Sequence, residues 1–229
     1  MKDAGCTDYS YGDAPVICLE GVNNPSSLTQ AKRIRAPKKT GPEANKLTKK
    51  AKQNKCLKAA KCRLVSKDEA DKNGCCEWQT GNHTIPHAAV KDTNWIVNTN
   101  FPLKLGPSQN APLSSYTYGS APTMCMEGVG NHNGGSHEQN HKLMCMLMAG
   151  TSSKQIRYET IQNYSVEAAM KSGAGHCSPN CIQAQQDNYF QPGNPGNKDK
   201  KMHNTCGCAG SSPKVNHAHD SRMHSDGIF

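Results

Sequence analysis

The pattern of apolar and polar positions predicts short helices and strands separated by polar, turn-rich stretches. The clearest helix follows Ser136, a suitable N-cap, and runs to about Met148. One face of this helix carries four apolar residues at helical spacing: Leu143, Met144, Leu147 and Met148. We therefore expect these four apolar side chains to pack inward.

Other segments give weaker but usable patterns. A Lys-rich helix is predicted over residues 42–61, where Pro42 and Glu43 form a favourable first turn. Two short helices are predicted over Ser165–Lys171 and Ser178–Tyr189. The remaining predictions are a strand or hairpin over 76–90, a loop over 98–115, a turn-rich stretch over 191–201 and a loose tail of about twenty residues. Together they indicate a mainly α+β protein.

The chain contains one internal repeat. Residues 9–24 and 116–131 are identical at ten of sixteen positions, at an offset of 107. Two copies do not make a solenoid, so each copy is predicted to be a turn followed by a short apolar strand. Only the second copy continues into a pair of histidines, and the first is therefore interpreted as structural.

The composition indicates a thin hydrophobic core. Leu, Ile, Val and Phe number 29 of 229 residues, yet two Trp, seven Tyr, nine Met and twelve Cys are not typical of a disordered chain. A globular protein of this kind relies on metal or disulfide cross-links more than on a large aliphatic core.

The positive charge is concentrated in one segment. Residues 31–67 carry fourteen Lys or Arg and one acid, Glu43, a net charge of +13, whereas the remainder has a net charge of −4. Such a segment suits a polyanionic substrate, with a solvated helix face as the alternative. Four lysines are the candidate DNA-backbone contacts: Lys46, Lys49, Lys50 and Lys142.

The cysteine spacings leave the cross-links open. The pairs are Cys56 and Cys62, Cys75 and Cys76, Cys177 and Cys181, and Cys206 and Cys208, and they do not repeat the spacing of a zinc finger. The candidates for a structural zinc site or for disulfides are Cys62, Cys75, Cys76, Cys177 and Cys181. A catalytic Cys–His pair is disfavoured because no third group is evident to orient it.

Two histidine-bearing segments suggest chemistry. His83 lies in an extended stretch that Pro86 prevents from becoming helical. His137 and His141 lie at i and i+4 of the predicted helix, so both imidazoles point the same way. One imidazole able to take a proton from water, facing a pair able to hold a divalent cation, suits phosphodiester cleavage. The alternative is a pair of surface or capping histidines.

The ordered motifs resemble one protein family. The segments are Cys75 to Pro86 with Gly81-Asn82-His83, Tyr118 to Gly128, Gly135 to His141, and Cys177 to Tyr189. Over roughly residues 60–190 the chain resembles the GHH-signature toxins of the HNH/endonuclease VII superfamily, which are bacterial nuclease effectors often delivered by type VI secretion. Glu138 does not follow the zinc-protease pattern, so a protease is disfavoured.

The resemblance implies a ββα-metal (His-Me finger) core with flanking helices and loops. It implies that His83 is the general base and that His137 and His141 bind the metal, Mg²⁺ or Mn²⁺ with Zn²⁺ as a further candidate. On this pattern residues 75–150 form the nuclease core. Residues 1–74 supply the repeat strand and basic helix, and residues 151–229 supply C-terminal helices and a loose tail.

Asn82 departs from the family pattern, which has His at this position to complete the metal site. An introduced change that disarms the toxin, a natural oxygen ligand, and replacement by another imidazole such as His87 or His132 are three open interpretations. For His87, which lies four residues after His83, an exposed hairpin residue is the favoured interpretation and a phosphate contact is the alternative. His203, His217, His219 and His224 receive no role.

The predicted function is metal-dependent DNA hydrolysis by an antibacterial toxin. The resemblance implies a DNA substrate, a cognate immunity protein and a PAAR/VgrG-type delivery apparatus, with action in the target-cell cytoplasm. Neither a secretory signal at Met1–Gly5 nor an apolar run long enough for a membrane span is evident, so secretion without a signal peptide is expected. The rival hypothesis is a non-catalytic, metal-stapled module that binds nucleic acid or a partner.

Overall fold

The computed structural model describes residues 41–76, 79–98, 101, 113–130 and 133–206, and these residues form a mixed α+β fold. The helices are α1 (Gly41–Ala51), α2 (Lys55–Cys62), α3 (Lys67–Glu69), α4 (His87–Val90), α5 (Gly135–Ala149), α6 (Tyr158–Ala169) and α7 (Pro179–Phe190). The strands are β1 (Val65–Ser66), β2 (Gln79–His83), β3 (Ile96–Asn98), β4 (Leu113–Ser115), β5 (Pro122–Glu127), β6 (Gln155–Ile156) and β7 (Met202–His203). Two π-helical turns, Ala70–Gly74 and Met170–Ala174, follow α3 and α6.

The sheet that carries the histidine strand has the order β1-β5-β2, and both pairings are antiparallel. Strand β5 is central and all six of its residues are buried. The strand expected within residues 76–90 is therefore present as β2. Its partner is β5, some forty residues further along, because residues 87–90 form the short helix α4 after Pro86.

The basic segment forms two helices, so the single helix predicted over residues 42–61 is wrong. Asn54 is extended, and its side chain accepts a hydrogen bond from the Leu57 amide at 3.1 Å, which begins α2. An Asn side chain that bonds to the local backbone competes with the continuous helix and favours a new N-cap.

Helix α5 begins two residues earlier than a Ser136 N-cap would place it. Its N-cap is Gly134, and Gly134 and Gly135 both have positive φ. A Cβ on Gly135 would lie 2.3 Å from the Glu127 carbonyl oxygen, so only glycine fits this close approach of helix and strand. Ser136 lies inside the helix.

The apolar face predicted for α5 is confirmed. Met144 and Met148 are buried, and Leu143 and Leu147 pack against the same core. The core continues into aromatic side chains of which Trp95, Tyr189 and Phe190 are among the largest that are fully buried.

The two later helices are present, and the first of them starts earlier than predicted. Helix α6 begins seven residues before the predicted Ser165, whereas α7 begins after its N-cap Ser178 as expected. Turns follow over residues 191–199. The second repeat copy is a turn and the strand β5, as predicted, whereas the first copy (9–24) and the predicted loose tail beyond residue 206 lie outside the described residues.

Disulfides supply the cross-links that the thin core led us to expect. Three pairs lie within the described residues: Cys62–Cys177, Cys75–Cys125 and Cys145–Cys206. Cys181 is also disulfide-bonded. Cys76, which the sequence grouped with these cysteines, retains its thiol, and burial raises the pKa of that thiol to about 11. In the part of the chain that the structure describes, no helix has the length and apolar character to cross a bilayer.

Candidate active site

The two helical imidazoles stack on one face of α5. The ring centroids of His137 and His141 lie 5.2 Å apart and the ring planes differ by 11°. This is the parallel arrangement expected for side chains at i and i+4. His137 is buried and His141 is half-buried, so the pair opens toward solvent through His141.

His83 lies within electrostatic reach of this pair. Burial, together with the charges of His141, Lys67 and His83, lowers the pKa of His137 to about 3. Burial likewise lowers the pKa of His83 to about 4, with contributions from Lys67, His87 and His141. The structure therefore brings the imidazole at the end of β2 together with the pair on α5, and both low pKa values keep the rings neutral at physiological pH.

A hydrogen-bond relay fixes the tautomer of His137. The Thr80 hydroxyl donates to the Gly128 carbonyl at 2.6 Å and lies 2.7 Å from His137 Nδ1. A hydroxyl has one proton, so Nδ1 must carry the proton of the second bond and donate it to Thr80. The lone pair of His137 is therefore on Nε2, the atom left available as a ligand.

The opposite nitrogen is available on His83. Its Nε2 lies 3.1 Å from the Tyr118 carbonyl oxygen, which can only accept, so Nε2 carries the proton and Nδ1 has the lone pair. The Tyr118 ring packs 4.5 Å from the His83 ring, centroid to centroid, and half of Tyr118 is exposed. Strand β2 thus ends in an oriented imidazole whose unprotonated nitrogen is Nδ1.

Asn82 is buried between the strand and the helix. Its Nδ2 donates to Asn140 Oδ1 at 2.6 Å and contacts the Met126 sulfur at 3.3 Å. Its Oδ1 is buried and has no hydrogen-bond partner among the described residues. An orphaned amide oxygen costs free energy, and a cation or a water would satisfy it.

Glu127 anchors the helix and the strands behind the site. The Lys61 ammonium lies 2.7 Å from its carboxylate, and both side chains are almost completely buried. Ser136 Oγ donates to the same carboxylate at 2.6 Å, and Gln79 Nε2 donates to it at 3.1 Å. One carboxylate therefore ties α2, β2 and the first turn of α5 together.

Aromatic rings border the site beyond His83. His87 Nδ1 lies 3.0 Å from the Tyr116 hydroxyl, and the His87 ring centroid lies 6.4 Å from that of His83. His87 is half-buried in α4, so the interpretation as an exposed hairpin residue is wrong. His132, the other imidazole considered for the gap at Asn82, lies outside the described residues.

The candidate DNA-contacting lysines are exposed. Lys46, Lys49 and Lys50 lie on α1, and Lys142 on α5 forms an ion pair with Glu138. Lys61 belongs to the same basic segment but is buried against Glu127 and cannot reach a phosphate. The charge counted from the sequence therefore overstates what faces solvent.

Thr80 and the Lys61–Glu127 pair were not predicted from the sequence. Thr80 shares a strand face with Asn82, so period-two alternation was an available signal for it. The Lys61–Glu127 pair spans 66 residues and left no local signal. His203 lies exposed in β7, and His217, His219 and His224 lie outside the described residues.

A second cluster of ligand-type side chains lies on α2 and on the segment before α7. One ligand atom each from Cys62, His176 and Cys177 lies within 4.8 Å of the others. Within the described residues, no other group of three or more His, Cys, Asp or Glu side chains lies at metal-binding distance. The same two cysteines form a disulfide in this structure.

Comparison with known proteins gives one informative relative. The chain is 32% identical over 201 residues to the DNase toxin Tse7 of Pseudomonas aeruginosa. The alignment covers 81% of this chain and 47% of the relative, so the chain spans about half the length of the curated relative that it matches. No model of a known protein family matches the chain. No solved structure matches it either. Over most of its length, then, the chain is similar to a nuclease toxin.

Proposed function

We propose that this protein is a metal-dependent DNA endonuclease that acts as an antibacterial toxin. The observation that carries the proposal is the pair of complementary tautomers, with a free Nδ1 on His83 and a free Nε2 on His137. The similarity to a DNase toxin supports DNA as the substrate class. Strands β2 and β5 with helix α5 would form the ββα-metal core.

The side chains fit a divalent cation. His137 offers Nε2, His141 stacks parallel to it, and Asn82 has a buried oxygen with no partner among the described residues. Two imidazoles and an amide oxygen form a mixed nitrogen–oxygen donor set that accepts Mg²⁺, Mn²⁺ or Zn²⁺. The bound cation supplies positive charge next to the scissile phosphate.

His83 acts as the general base. Its Nδ1 takes a proton from water while Nε2 stays bonded to the Tyr118 carbonyl, which holds the ring in one orientation. The low pKa of His83, about 4, keeps Nδ1 unprotonated. A phosphate bound near the ring adds negative charge, which raises that pKa toward the range in which a base is most effective.

The exposed lysines hold the DNA backbone without reading its sequence. Lys46, Lys49 and Lys50 on α1 lie beside α5, because the Gly135 amide donates to Asn45 and the Ser136 amide donates to Thr48. Contacts from lysine to phosphate position the duplex, and they weaken as salt increases.

A toxin of this kind requires a protective partner in the cell that produces it. We propose an acidic immunity protein that covers the basic or catalytic face, and delivery by a PAAR/VgrG-type apparatus into the target cytoplasm. Ion-exchange chromatography of a co-purified partner tests the charge of the immunity protein. A basic partner would contradict this part of the proposal.

Asn82 gives the sharpest test of the nuclease proposal. Purified wild type, Asn82→His and Asn82→Asp are compared on plasmid DNA, linear DNA and RNA with Mg²⁺ or Mn²⁺, with a chelator as the blank. Both variants place a stronger ligand at the buried position, so we expect faster plasmid cleavage by each. His83→Ala added to either variant should reduce the rate by roughly 10²–10⁴-fold.

One observation favours the second candidate function, a non-catalytic binding module. The Asn82 amide already bonds to Asn140, which is what a purely structural residue does. If neither variant at position 82 cleaves any substrate while all variants bind DNA, the binding module is the better description.

A further inference from the structure

We propose that Cys62, His176 and Cys177 form a zinc site that replaces the Cys62–Cys177 disulfide when the protein meets a reducing environment. The two cysteines are bonded here, with Cα atoms 5.2 Å apart. His176 Nε2 lies 3.6 Å from Cys177 Sγ. The proposal is independent of the nuclease function.

The geometry suits either state of the cysteines. In a tetrahedral zinc site with Zn–S distances near 2.3 Å, two thiolates lie about 3.8 Å apart. Rotation of the two side chains opens that separation while the Cα atoms stay in place. Two thiolates and one imidazole form a soft donor set that favours zinc over magnesium or calcium.

The exchange balances with a dithiol reductant. The dithiol transfers two electrons and two protons to the Cys62–Cys177 bond, which becomes two thiols while the dithiol becomes a disulfide. Zinc binding then releases the two thiol protons. His176 Nε2 now donates to the Lys58 carbonyl at 2.8 Å, so its proton moves to Nδ1 when Nε2 becomes the ligand.

His176 distinguishes this cross-link from the others. The Cys75–Cys125 and Cys145–Cys206 disulfides have no comparable cluster within the described residues. The Cys62–Cys177 link closes 115 residues of chain and joins α2 to the segment before α7. Zinc at this point would retain the link where thiol reductants open ordinary disulfides.

The experiment measures zinc affinity in oxidised and reduced protein by competition with a chromophoric chelator. The variants are His176→Gln and the double change Cys62→Ser with Cys177→Ser. The matched control is Cys145→Ser with Cys206→Ser, which removes a disulfide outside the cluster. Circular dichroism verifies that each variant is folded.

We expect reduction of the wild type to create one zinc site that the oxidised protein lacks. The control should keep that site, the double change at 62 and 177 should abolish it, and His176→Gln should weaken it roughly 10–100-fold. X-ray absorption on the reduced, zinc-loaded wild type should show two sulfur ligands and at least one nitrogen ligand. A zinc stoichiometry that does not rise when the wild type is reduced, or a reduction-dependent site that survives the double change, would overturn the proposal.

Discussion

The Thr80 hydroxyl fixes which nitrogen of His137 is free to bind a ligand. It lies 2.7 Å from His137 Nδ1 and gives its proton to the Gly128 carbonyl, so the ligand lone pair is on Nε2. The contact joins the start of β2 to the first turn of α5. It holds one imidazole of the helical pair in the single tautomer and orientation that the proposed metal site needs.

Removing this hydroxyl should weaken metal binding without removing a ligand. Thr80→Val keeps the shape of the side chain but removes the hydroxyl that accepts from His137 Nδ1. We therefore expect the affinity for Mn²⁺, measured by calorimetry, to fall roughly 10–100-fold. Thr80→Ser keeps the hydroxyl and is the matched control. Equal affinities for the Val and Ser variants would show that the relay has no role in binding.

The pH dependence of stability follows from two imidazoles whose pKa values are lowered by burial. The folded-state pKa values of His83 and His137, about 4 and about 3, lie below the ordinary value of 6.5. Between pH 3 and pH 6.5 the unfolded chain therefore binds more protons than the folded protein. The free energy of unfolding rises with pH over this range, and the stabilisation disappears as the pH falls from about 6.5 toward 3.

Urea unfolding across this pH range provides the measurement. His83→Gln combined with His137→Gln removes both titrating groups, so we expect its stability to vary less between pH 6.5 and 4 than that of the wild type. Parallel curves for the two proteins would assign the acid sensitivity to other groups.

The sequence was sufficient for the parts of the site set by local rules. Helical spacing placed His137 and His141 on one face, and Pro86 required His83 to lie in extended chain. The α+β class and the inward face of α5 followed from the same periodicities. The prediction of one continuous basic helix was wrong, because the side chain of Asn54 caps a second helix there.

Long-range pairings could not be predicted. Cys75 and Cys125, or Lys61 and Glu127, meet only after the chain has folded, and residues that share no local pattern carry no signal of their contact. Lys61 was therefore counted with the DNA-facing charge, although its partner lies in β5. The tautomers of His83 and His137 depend on Tyr118 and Thr80, which are distant from them in sequence, and could not be predicted either.

Breaking the buried ion pair should destabilise the fold strongly. Glu127→Gln leaves the Lys61 ammonium buried without a counter-charge, so we expect the free energy of unfolding to fall by about 3–5 kcal/mol. Adding Lys61→Met removes the uncompensated charge and should recover part of the loss. Denaturant unfolding of the two single variants and the double variant gives the coupling energy, and strict additivity would contradict a direct interaction.

The lysines on α1 should determine how DNA binding responds to salt. Each lysine–phosphate contact contributes about 0.9 to the slope of log affinity against log salt concentration, so neutralising three should reduce that slope by up to about 2.7. The test variant is Lys46→Gln, Lys49→Gln and Lys50→Gln together.

The matched control makes the same charge change at the exposed Lys154, Lys198 and Lys201. Because both variants lose three charges, a long-range field effect would change the two slopes equally, whereas direct contact changes only the slope of the α1 variant. Fluorescence anisotropy with a short duplex between low and moderate salt measures both. Equal slopes would remove α1 from the DNA interface and leave the positive charge of this helix without a role in substrate binding.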